Sequence, residues 1–104
     1  MVKQVTAEEL KQLRQEGKKI VCDFWAAWCG PCRMLAPVMD ALAKEFEGSA
    51  EFVKINIDEE PQAAMEMGIM SIPDVYIFDG EKTLDHNLGF VPEEELRSFL
   101  KRNL

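Results

Sequence analysis

Two cysteines separated by only two residues, Cys29 and Cys32, lie between segments of different hydrophobic periodicity. The residues before them, 20–25, are almost continuously apolar, which is typical of a central strand covered on both faces. The residues after them place apolar side chains at helical intervals over 35–46, which indicates a long amphipathic helix. Any fold for this chain must therefore place the cysteine pair where a buried strand leads into a helix.

The rest of the sequence alternates between strand and helix patterns. Strands that alternate with helices pair in parallel, whereas the hairpin signal Asp79-Gly80 requires an antiparallel pair. We therefore predict an α/β fold of three layers, α/β/α, with a mixed central sheet of four to five strands flanked by four helices. The further elements predicted are a helix between Thr6 and Gly17, strands over 51–57, 75–78 and 82–88, a short helix over 59–67, a last helix after Pro92, and a short edge strand near 2–5.

Length and charge limit the classes of function. The 104 residues, 47% of them hydrophobic, are enough for one domain over residues 1–104. A net charge of -7 repels phosphate backbones and anionic membranes, so we expect neither nucleic acid nor membrane as a partner. The first ten residues carry charges and no apolar segment, so we expect no secretory signal and a cytoplasmic protein, acting as a monomer.

The cysteine pair has the properties of a redox centre. Free amides and the helix dipole stabilise negative charge at a helix N-terminus, so we predict a depressed pKa for Cys29, which would attack as a thiolate. Cys32 continues the core-facing stripe of the helix and is predicted to be the shielded thiol that resolves the mixed disulfide. Their spacing allows a Cys29–Cys32 disulfide after a small adjustment. Gly30 permits this close approach, and Pro31 suits a first helical turn because its missing N–H would have no partner there.

A structural zinc site is the competing interpretation of the two cysteines. Such a site needs four ligands, and only Cys22 and His86 remain to complete it. We therefore predict redox chemistry with no metal and no cofactor. Cys22 is interpreted as a small apolar core residue rather than a third redox thiol, and His86 as an exposed residue without chemistry.

A single carboxylate, Asp23, interrupts the apolar strand before the cysteines. Burial there should raise its pKa, which suits a group that accepts the proton of the second thiol near neutral pH, directly or through water. Lys54, in the apolar strand over 51–57, could moderate that shift from a neighbouring strand. The alternatives are a fully paired structural carboxylate at Asp23 and a lysine that extends to solvent at Lys54.

The run Asp23–Cys32, which ends in Trp-Cys-Gly-Pro-Cys, resembles the active-site segment of the thioredoxin family. The segments 54–58 and 68–73, and Gly89, stand at separations similar to that family's, so the resemblance covers essentially the whole chain. It implies the thioredoxin fold and a protein-disulfide reductase, a thiol–disulfide oxidoreductase that a thioredoxin reductase re-reduces with electrons from NADPH.

The resemblance also implies a loop and a groove beside the cysteines. A cis peptide bond before Pro73 would place the Ile72-Pro73 loop against Cys29. An apolar groove suited to oxidised protein substrates would then surround that cysteine, with ordinary packing of the same side chains as the alternative. The residues expected to line it are Trp28, Ile72, Pro73, Asp74 and Gly89, with Met70 and Phe90 as further candidates.

One of these residues departs from the family pattern. The family usually carries threonine after the proline, and this chain carries Asp74. A carboxylate near the cysteines disfavours a thiolate and repels acidic substrate segments. We expect Asp74 to tune the choice of partner, with an ordinary strand-start residue as the alternative.

Two other functions compete with catalysed reduction. The first is a binding module that docks a partner through the same groove while redox cycling is incidental; docking would survive the substitution Cys32→Ser, whereas turnover would stop. The second is a disulfide-forming oxidant of the same fold, which Gly30-Pro31 and the missing secretory signal disfavour. We expect the catalytic function, in which Cys29 attacks a protein disulfide and Cys32 resolves it with Asp23 as proton acceptor.

Overall fold

The structure is a computed structural model that describes residues 2–104. Within these residues, strands and helices follow in an order that agrees with the sequence analysis, including the short edge strand. The elements are β1 (Lys3–Gln4), α1 (Ala7–Gln15), β2 (Lys19–Trp25), α2 (Gly30–Glu45), β3 (Glu51–Asn56), α3 (Pro61–Met67), β4 (Asp74–Asp79), β5 (Lys82–Leu88) and α4 (Glu93–Asn103).

The sheet is mixed, as predicted, and its strand order is β1-β3-β2-β4-β5. Strand β3 pairs in parallel with β1 and β2, whereas β4 pairs antiparallel with both β2 and β5. β2 is therefore the central strand, which explains why its sequence is apolar on both faces. Its carboxyl end leads into α2 beside the carboxyl end of β3 and the start of β4, so the cysteine motif lies where three strands meet.

Two helices cover each face of the sheet. Leu35, Met39 and Leu42 of α2 and Leu96, Phe99 and Leu100 of α4 pack against Val21, Val75 and Ile77 on one face. Leu10 of α1 and Ala63 of α3 pack with Cys22, Phe24 and Tyr76 on the other. The predicted three-layer α/β/α architecture with four helices and a mixed sheet is confirmed.

The predicted boundaries of β3 and α3 need a small correction. The strand was expected to include Ile57 and the helix to start at residue 59, but β3 ends at Asn56 and α3 starts at Pro61. The Asn56 side-chain oxygen accepts a hydrogen bond from the backbone N–H of Asp58 at 2.9 Å and so turns the chain away from the sheet. Proline can then open the helix without losing a hydrogen bond.

The hairpin between β4 and β5 confirms the turn predicted at Asp79-Gly80. Gly80 has φ +60, and a Cβ atom at this position would come within 3.2 Å of the Gly17 Cα. The Gly80 N–H also donates to the Lys18 carbonyl at 2.8 Å. Only glycine fits both the backbone conformation and this close approach, so the turn fixes how β5 is placed beside β4.

Candidate active site

The cysteine pair lies at the first turn of α2. Cys29 is the N-cap residue, and the Cys32 backbone N–H points at the Cys29 Sγ at 3.2 Å. The two residues form a disulfide with their Cα atoms 5.2 Å apart. A sulfur that caps a helix receives an otherwise unpaired amide and the positive end of the helix dipole. The site therefore stabilises negative charge on Cys29 once the disulfide is reduced.

Both cysteines are nearly covered in this oxidised form. Cys29 is 5% exposed and Cys32 is 2% exposed, and they pack with Ala26 and Ile72. The burial of Cys32 agrees with the shielded position predicted for it. The small exposure of Cys29 means that a substrate must approach through the surface immediately around this one sulfur.

The intervening residues hold the turn in place. Gly30 and Pro31 form the first positions of α2, where the proline costs no hydrogen bond. The Arg33 guanidinium donates to the Ala27 carbonyl at 2.9 Å, and the Arg33 backbone N–H donates to the Cys29 carbonyl at 3.1 Å. These contacts join the end of β2 to the start of α2 across the cysteine motif.

Asp23 is buried directly behind the cysteines. The residue is 3% exposed, and its Oδ1 atom has no hydrogen-bond partner among residues 2–104. Desolvation raises the pKa of Asp23 from its ordinary 3.8 to about 7, and the charge of Asp74 adds to this rise. The structure therefore gives this carboxyl the proton affinity that the sequence analysis expected, and it leaves the group unpaired.

A small cavity joins Asp23 to Cys32. It has a volume of about 80 Å³, and Trp25, Arg33, Met39 and Lys54 are among its other lining residues. Asp23 and Lys54 supply polar groups to this mostly apolar cavity, and its volume is enough for a water molecule, which needs about 10–15 Å³ on this measure. The cavity thus offers a path for a proton between the deeper sulfur and the carboxyl through one water.

Lys54 is placed beside Asp23 by the parallel pairing of β2 and β3, in which the two residues are register partners. Its Nζ lies 5.2 Å from the centroid of the Trp25 ring, a cation–π distance. Its positive charge opposes the rise in the pKa of Asp23. The half-buried Lys54 is therefore held beside Asp23 by strand pairing and by its contact with Trp25. This position agrees with the moderating role expected for it.

We expect Lys54→Met to slow disulfide reduction at pH 7. Methionine keeps the aliphatic stem but removes the charge that lowers the pKa of Asp23, so more Asp23 is already protonated and fewer molecules can accept the Cys32 proton. We expect roughly a twofold lower rate at pH 7 and recovery at higher pH, since a rise of about half a pKa unit from 7 halves the ionised fraction of Asp23 at pH 7. The measurement is the pH profile of reduction of a protein disulfide.

The matched control is Lys44→Met, which removes an exposed lysine from the last turn of α2. Its pH profile should follow that of the unchanged protein. A Lys54→Met profile that also coincides with the unchanged protein would contradict a link between Lys54 and Asp23.

The loop before β4 lies against the attacking sulfur. The Ile72-Pro73 peptide bond is cis, and the Ile72 carbonyl oxygen lies 3.7 Å from Cys29 Sγ. The Gly89 N–H donates to the Pro73 carbonyl at 2.7 Å and joins this loop to the end of β5. The structure thus brings Ile72, Pro73 and Gly89 together beside Cys29.

An apolar surface continues from this loop. Trp28 is 66% exposed and Met70 is 95% exposed, and both line a depression of about 300 Å³ with Ile72. Sequence reasoning missed the way in which Trp28 is held: its Nε1–H donates to the Asp58 carboxylate at 2.8 Å. The parallel pairing of β2 and β3 was the available signal, because it brings the residues after both strands to one edge.

Asp74 is more buried than predicted, and His86 contacts it. Asp74 was expected in the substrate groove, but it is 4% exposed. His86 is exposed, as predicted, and its Nδ1 lies 2.9 Å from the Asp74 carboxylate while its ring stacks on Tyr76. The pairing of β4 with β5 produces this contact, since it aligns Asp74 with Leu88 and Tyr76 with His86. That register includes a bulge near Ile77 that the sequence does not signal.

The third cysteine is separate from the site. Cys22 is fully covered on the opposite face of the sheet, beside Ile20 and Phe24, and burial raises the pKa of its thiol well above the ordinary value. This agrees with the core role predicted for it. Among residues 2–104, no group of three or more acidic, histidine or cysteine side chains could hold a metal ion. No helix in the same residues is long and apolar enough to span a bilayer.

A reversible cysteine pair at a helix N-terminus, with a buried carboxyl behind it and a mixed sheet below, defines a class of protein: the thiol–disulfide oxidoreductases. Comparison with known proteins narrows this class. The family model described as Thioredoxin matches residues 1–102, and the chain belongs to the thioredoxin family.

Individual relatives agree with this assignment. The chain is 45% identical over 102 residues to thioredoxin 1 of Nostoc sp., which covers 97% of this chain and 95% of the relative. It is 41% identical over 100 residues to the thioredoxin of Staphylococcus haemolyticus, covering 96% and 95%. The solved structure of a Plasmodium falciparum thioredoxin superposes with a TM-score of 0.90 at 25% identity, over 99% of this chain and 100% of the other. Chloroplastic thioredoxin z superposes with a TM-score of 0.86 at 28% identity, over 97% and 92%.

The prediction of a dithiol redox protein is therefore confirmed. The protein is a dithiol electron carrier of the thioredoxin type, and its partners carry disulfide bonds. No observation on residues 2–104 or on its relatives favours the alternative of a docking module with incidental redox chemistry.

Proposed function

We propose that Cys29 is the attacking thiolate and Cys32 the resolving thiol in reduction of disulfides in other proteins. The observation that carries this assignment is the position of Cys29 as N-cap of α2, where the Cys32 N–H points at its sulfur. The helix N-terminus stabilises a thiolate at this position, and the thiolate is the nucleophile of disulfide exchange. Cys32, one turn deeper and less exposed, attacks second.

The exchange takes place in two steps. The Cys29 thiolate attacks one sulfur of the substrate disulfide, forms a mixed disulfide and releases the first substrate thiolate, which takes a proton. Cys32 then loses its proton and attacks the Cys29 sulfur, which releases the second substrate thiolate and forms the Cys29–Cys32 disulfide. Two electrons pass from the protein to the substrate, so the carrier ends oxidised.

Asp23 accepts the Cys32 proton in the second step. Its support is the shared cavity with Cys32, the free Oδ1 atom and a pKa of about 7, which leaves an ionised fraction available near neutral pH. Lys54 keeps that fraction from becoming too small. Gly30 and Pro31 set the geometry of the turn, and Pro73 holds the loop against the attacking sulfur.

The surface around Cys29 binds the substrate. Trp28 and Met70 offer exposed apolar contacts, and Ile72 borders the sulfur in a loop to which Gly89 is hydrogen-bonded. An extended segment on either side of a substrate cysteine therefore has apolar area to cover. Such contacts are soft and depend little on sequence. This surface suits partner proteins of varied sequence.

The electron donor is a thioredoxin reductase that draws on NADPH, and the working compartment is the cytoplasm. Membership of the thioredoxin family supports this donor. A cytoplasmic setting fits a reductant because cellular thiol pools there oppose disulfides. We also propose that residues 1–104 act as one monomeric domain, since 104 residues suit a single core.

The test is NADPH oxidation in a mixture of this protein, a thioredoxin reductase and insulin as the disulfide substrate. We expect NADPH consumption to depend on all three components and to be proportional to the carrier concentration. A variant with both Cys29→Ser and Cys32→Ser is the control without redox chemistry. Equal NADPH consumption with and without the carrier would refute the proposed donor and direction.

A further inference from the structure

Asp74 and His86 form a side-chain contact at the start of β4, next to the loop beside Cys29. The Asp74 side chain is 6% exposed, whereas that of His86 is 48% exposed, and their polar atoms are 2.9 Å apart. Asp74 directly follows Pro73, so this carboxylate begins β4 at the point where the loop beside Cys29 enters the sheet. A buried carboxylate needs a partner, and His86 is the side chain that supplies one.

The His86 ring has a fixed orientation. It stacks on Tyr76 with ring centroids 4.7 Å apart and 17° between the planes. Tyr76 itself contacts Phe24 and Phe78 in the core. The imidazole is therefore held flat against the sheet with Nδ1 directed at Asp74, while much of the ring stays open to solvent. Because Tyr76 fixes the ring, the contact between His86 and Asp74 has a defined geometry, unlike a contact between two mobile surface side chains.

Two features connect the contact between Asp74 and His86 to the active site. The backbone connects Asp74 to Ile72, whose carbonyl oxygen lies 3.7 Å from Cys29 Sγ. The charge of Asp74 also acts on Asp23, whose proton affinity it increases across the β2–β4 pair. An uncompensated negative charge at Asp74 disfavours ionisation of Asp23 and of Cys29 alike.

We propose that His86 is a positioning residue for thiol–disulfide exchange: its contact with Asp74 fixes the start of β4, so that the Ile72-Pro73 loop stays against Cys29, and its protonated form offsets the negative charge of Asp74 near the reacting groups. This inference rests on the proposed roles of Cys29 and Asp23. It replaces the expectation that Asp74 contacts substrate, because the buried carboxylate acts within the protein.

Other ionisable groups surround the pair. Asp85 accepts the His86 backbone N–H at 2.8 Å and adds a negative charge on β5. Tyr76 lies under the ring, and burial together with Asp74 raises its pKa, so it stays neutral. Asp23 lies on β2, and its side chain is on the opposite face of the sheet from that of Asp74. From α1, Arg14 lies over Phe78 and donates to the Gly80 and Glu81 carbonyls, so it is engaged at the hairpin rather than at Asp74.

Three variants test the proposal: His86→Gln, Asp74→Asn and the two combined. The readout is the rate at which iodoacetamide alkylates Cys29 in the reduced protein, followed from acidic to alkaline pH. His86→Gln removes the positive charge that a protonated His86 places beside Asp74, so we expect alkylation at pH 7 to slow by roughly threefold. Asp74→Asn removes the charge, so it should not slow alkylation, and the combined variant should match Asp74→Asn.

Rescue of one variant by the other is the decisive result. A purely structural role for the contact predicts that the combined variant is at least as impaired as His86→Gln, and that outcome would overturn the proposal. An alkylation profile of His86→Gln identical to that of the unchanged protein would overturn it as well.

Matched controls are Lys82→Gln and Asp79→Asn, which remove the same charges from exposed positions of β5 and β4 far from the loop. Both should alkylate at the unchanged rate. Alkylation needs no partner protein, so a failure of reductase-coupled turnover would count against the proposed function and leave this result intact.

Discussion

Cys32→Ser stops turnover and leaves the substrate covalently attached to Cys29. The first attack needs only the Cys29 thiolate at the α2 N-terminus, which the substitution leaves in place. The second attack needs a sulfur held one helical turn away, and a serine hydroxyl is too weakly acidic to replace it. Intramolecular attack is favoured over attack by a free thiol by a very large effective concentration, so we expect turnover to fall at least about a thousandfold.

The trapped species is measured directly. After the variant is mixed with an oxidised substrate protein, electrophoresis without reductant should show a band of the summed mass, and dithiothreitol should remove it. Cys29→Ser should form no such band. Cys22→Ala, which changes the buried free cysteine on the opposite face, should turn over normally. Trapping by Cys29→Ser instead of Cys32→Ser would reverse the two assigned roles.

The sequence was informative where one residue type is required by local geometry. Thr6 and Glu9 form both hydrogen bonds of the capping box. Gly80 occupies the positive-φ turn between β4 and β5. Asp23 could be singled out because burying an unpaired carboxylate in an apolar strand costs free energy, so such a residue is expected to have a function. In each case a short segment contains the whole physical reason.

The sequence was less informative where a contact depends on strand register. Asp74 and His86 are twelve residues apart on two strands, and they meet because the β4–β5 ladder is shifted by a bulge. A shift of one residue would turn His86 to the other face of the sheet. Trp28 and Asp58 likewise meet only once β2 and β3 are paired. Such contacts can be predicted only when the register of the whole sheet is known. The sequence pattern identifies the residues on each strand but not which of them meet.

Asp23→Asn should slow the exchange and stabilise the fold at the same time. The asparagine cannot accept the Cys32 proton, and loss of a general base usually costs about a hundredfold or more. We expect the deficit at pH 7 to shrink as the pH rises, because hydroxide then removes the same proton. The measurement is the pH profile of mixed-disulfide resolution, followed through tryptophan fluorescence since Trp25 and Trp28 flank the site.

The expected gain in stability follows from the proton affinity of Asp23. Burial raises its pKa from 3.8 in the ordinary state to about 7 in the folded protein, so the folded state holds this proton more tightly than the unfolded chain does. The contribution of that proton is complete below about pH 4, and it is lost as the pH rises through about 7. Above that range the ionised carboxylate costs about 4 kcal/mol of the free energy of unfolding.

Asparagine cannot ionise, so the stability difference between Asp23→Asn and the unchanged protein should be small near pH 4 and grow to a few kcal/mol at pH 8. Urea unfolding of the oxidised proteins measures this difference, because the disulfide keeps Cys29 and Cys32 from titrating. Asp40→Asn is the matched control, since Asp40 lines the same cavity but is exposed. Because the Asp40 side chain is exposed, its substitution should change the free energy of unfolding little.

The two effects of Asp23→Asn have opposite signs, and this separates a catalytic from a structural carboxylate. A structural carboxylate, paired and stabilising, would make the variant less stable at every pH above its own titration. An unpaired carboxylate kept in an apolar strand for proton transfer makes the variant slower and more stable, with the gain growing between about pH 4 and about pH 7. A variant that is destabilised at pH 8 would show that Asp23 has a partner in the fold and would remove it from the proposed proton transfer.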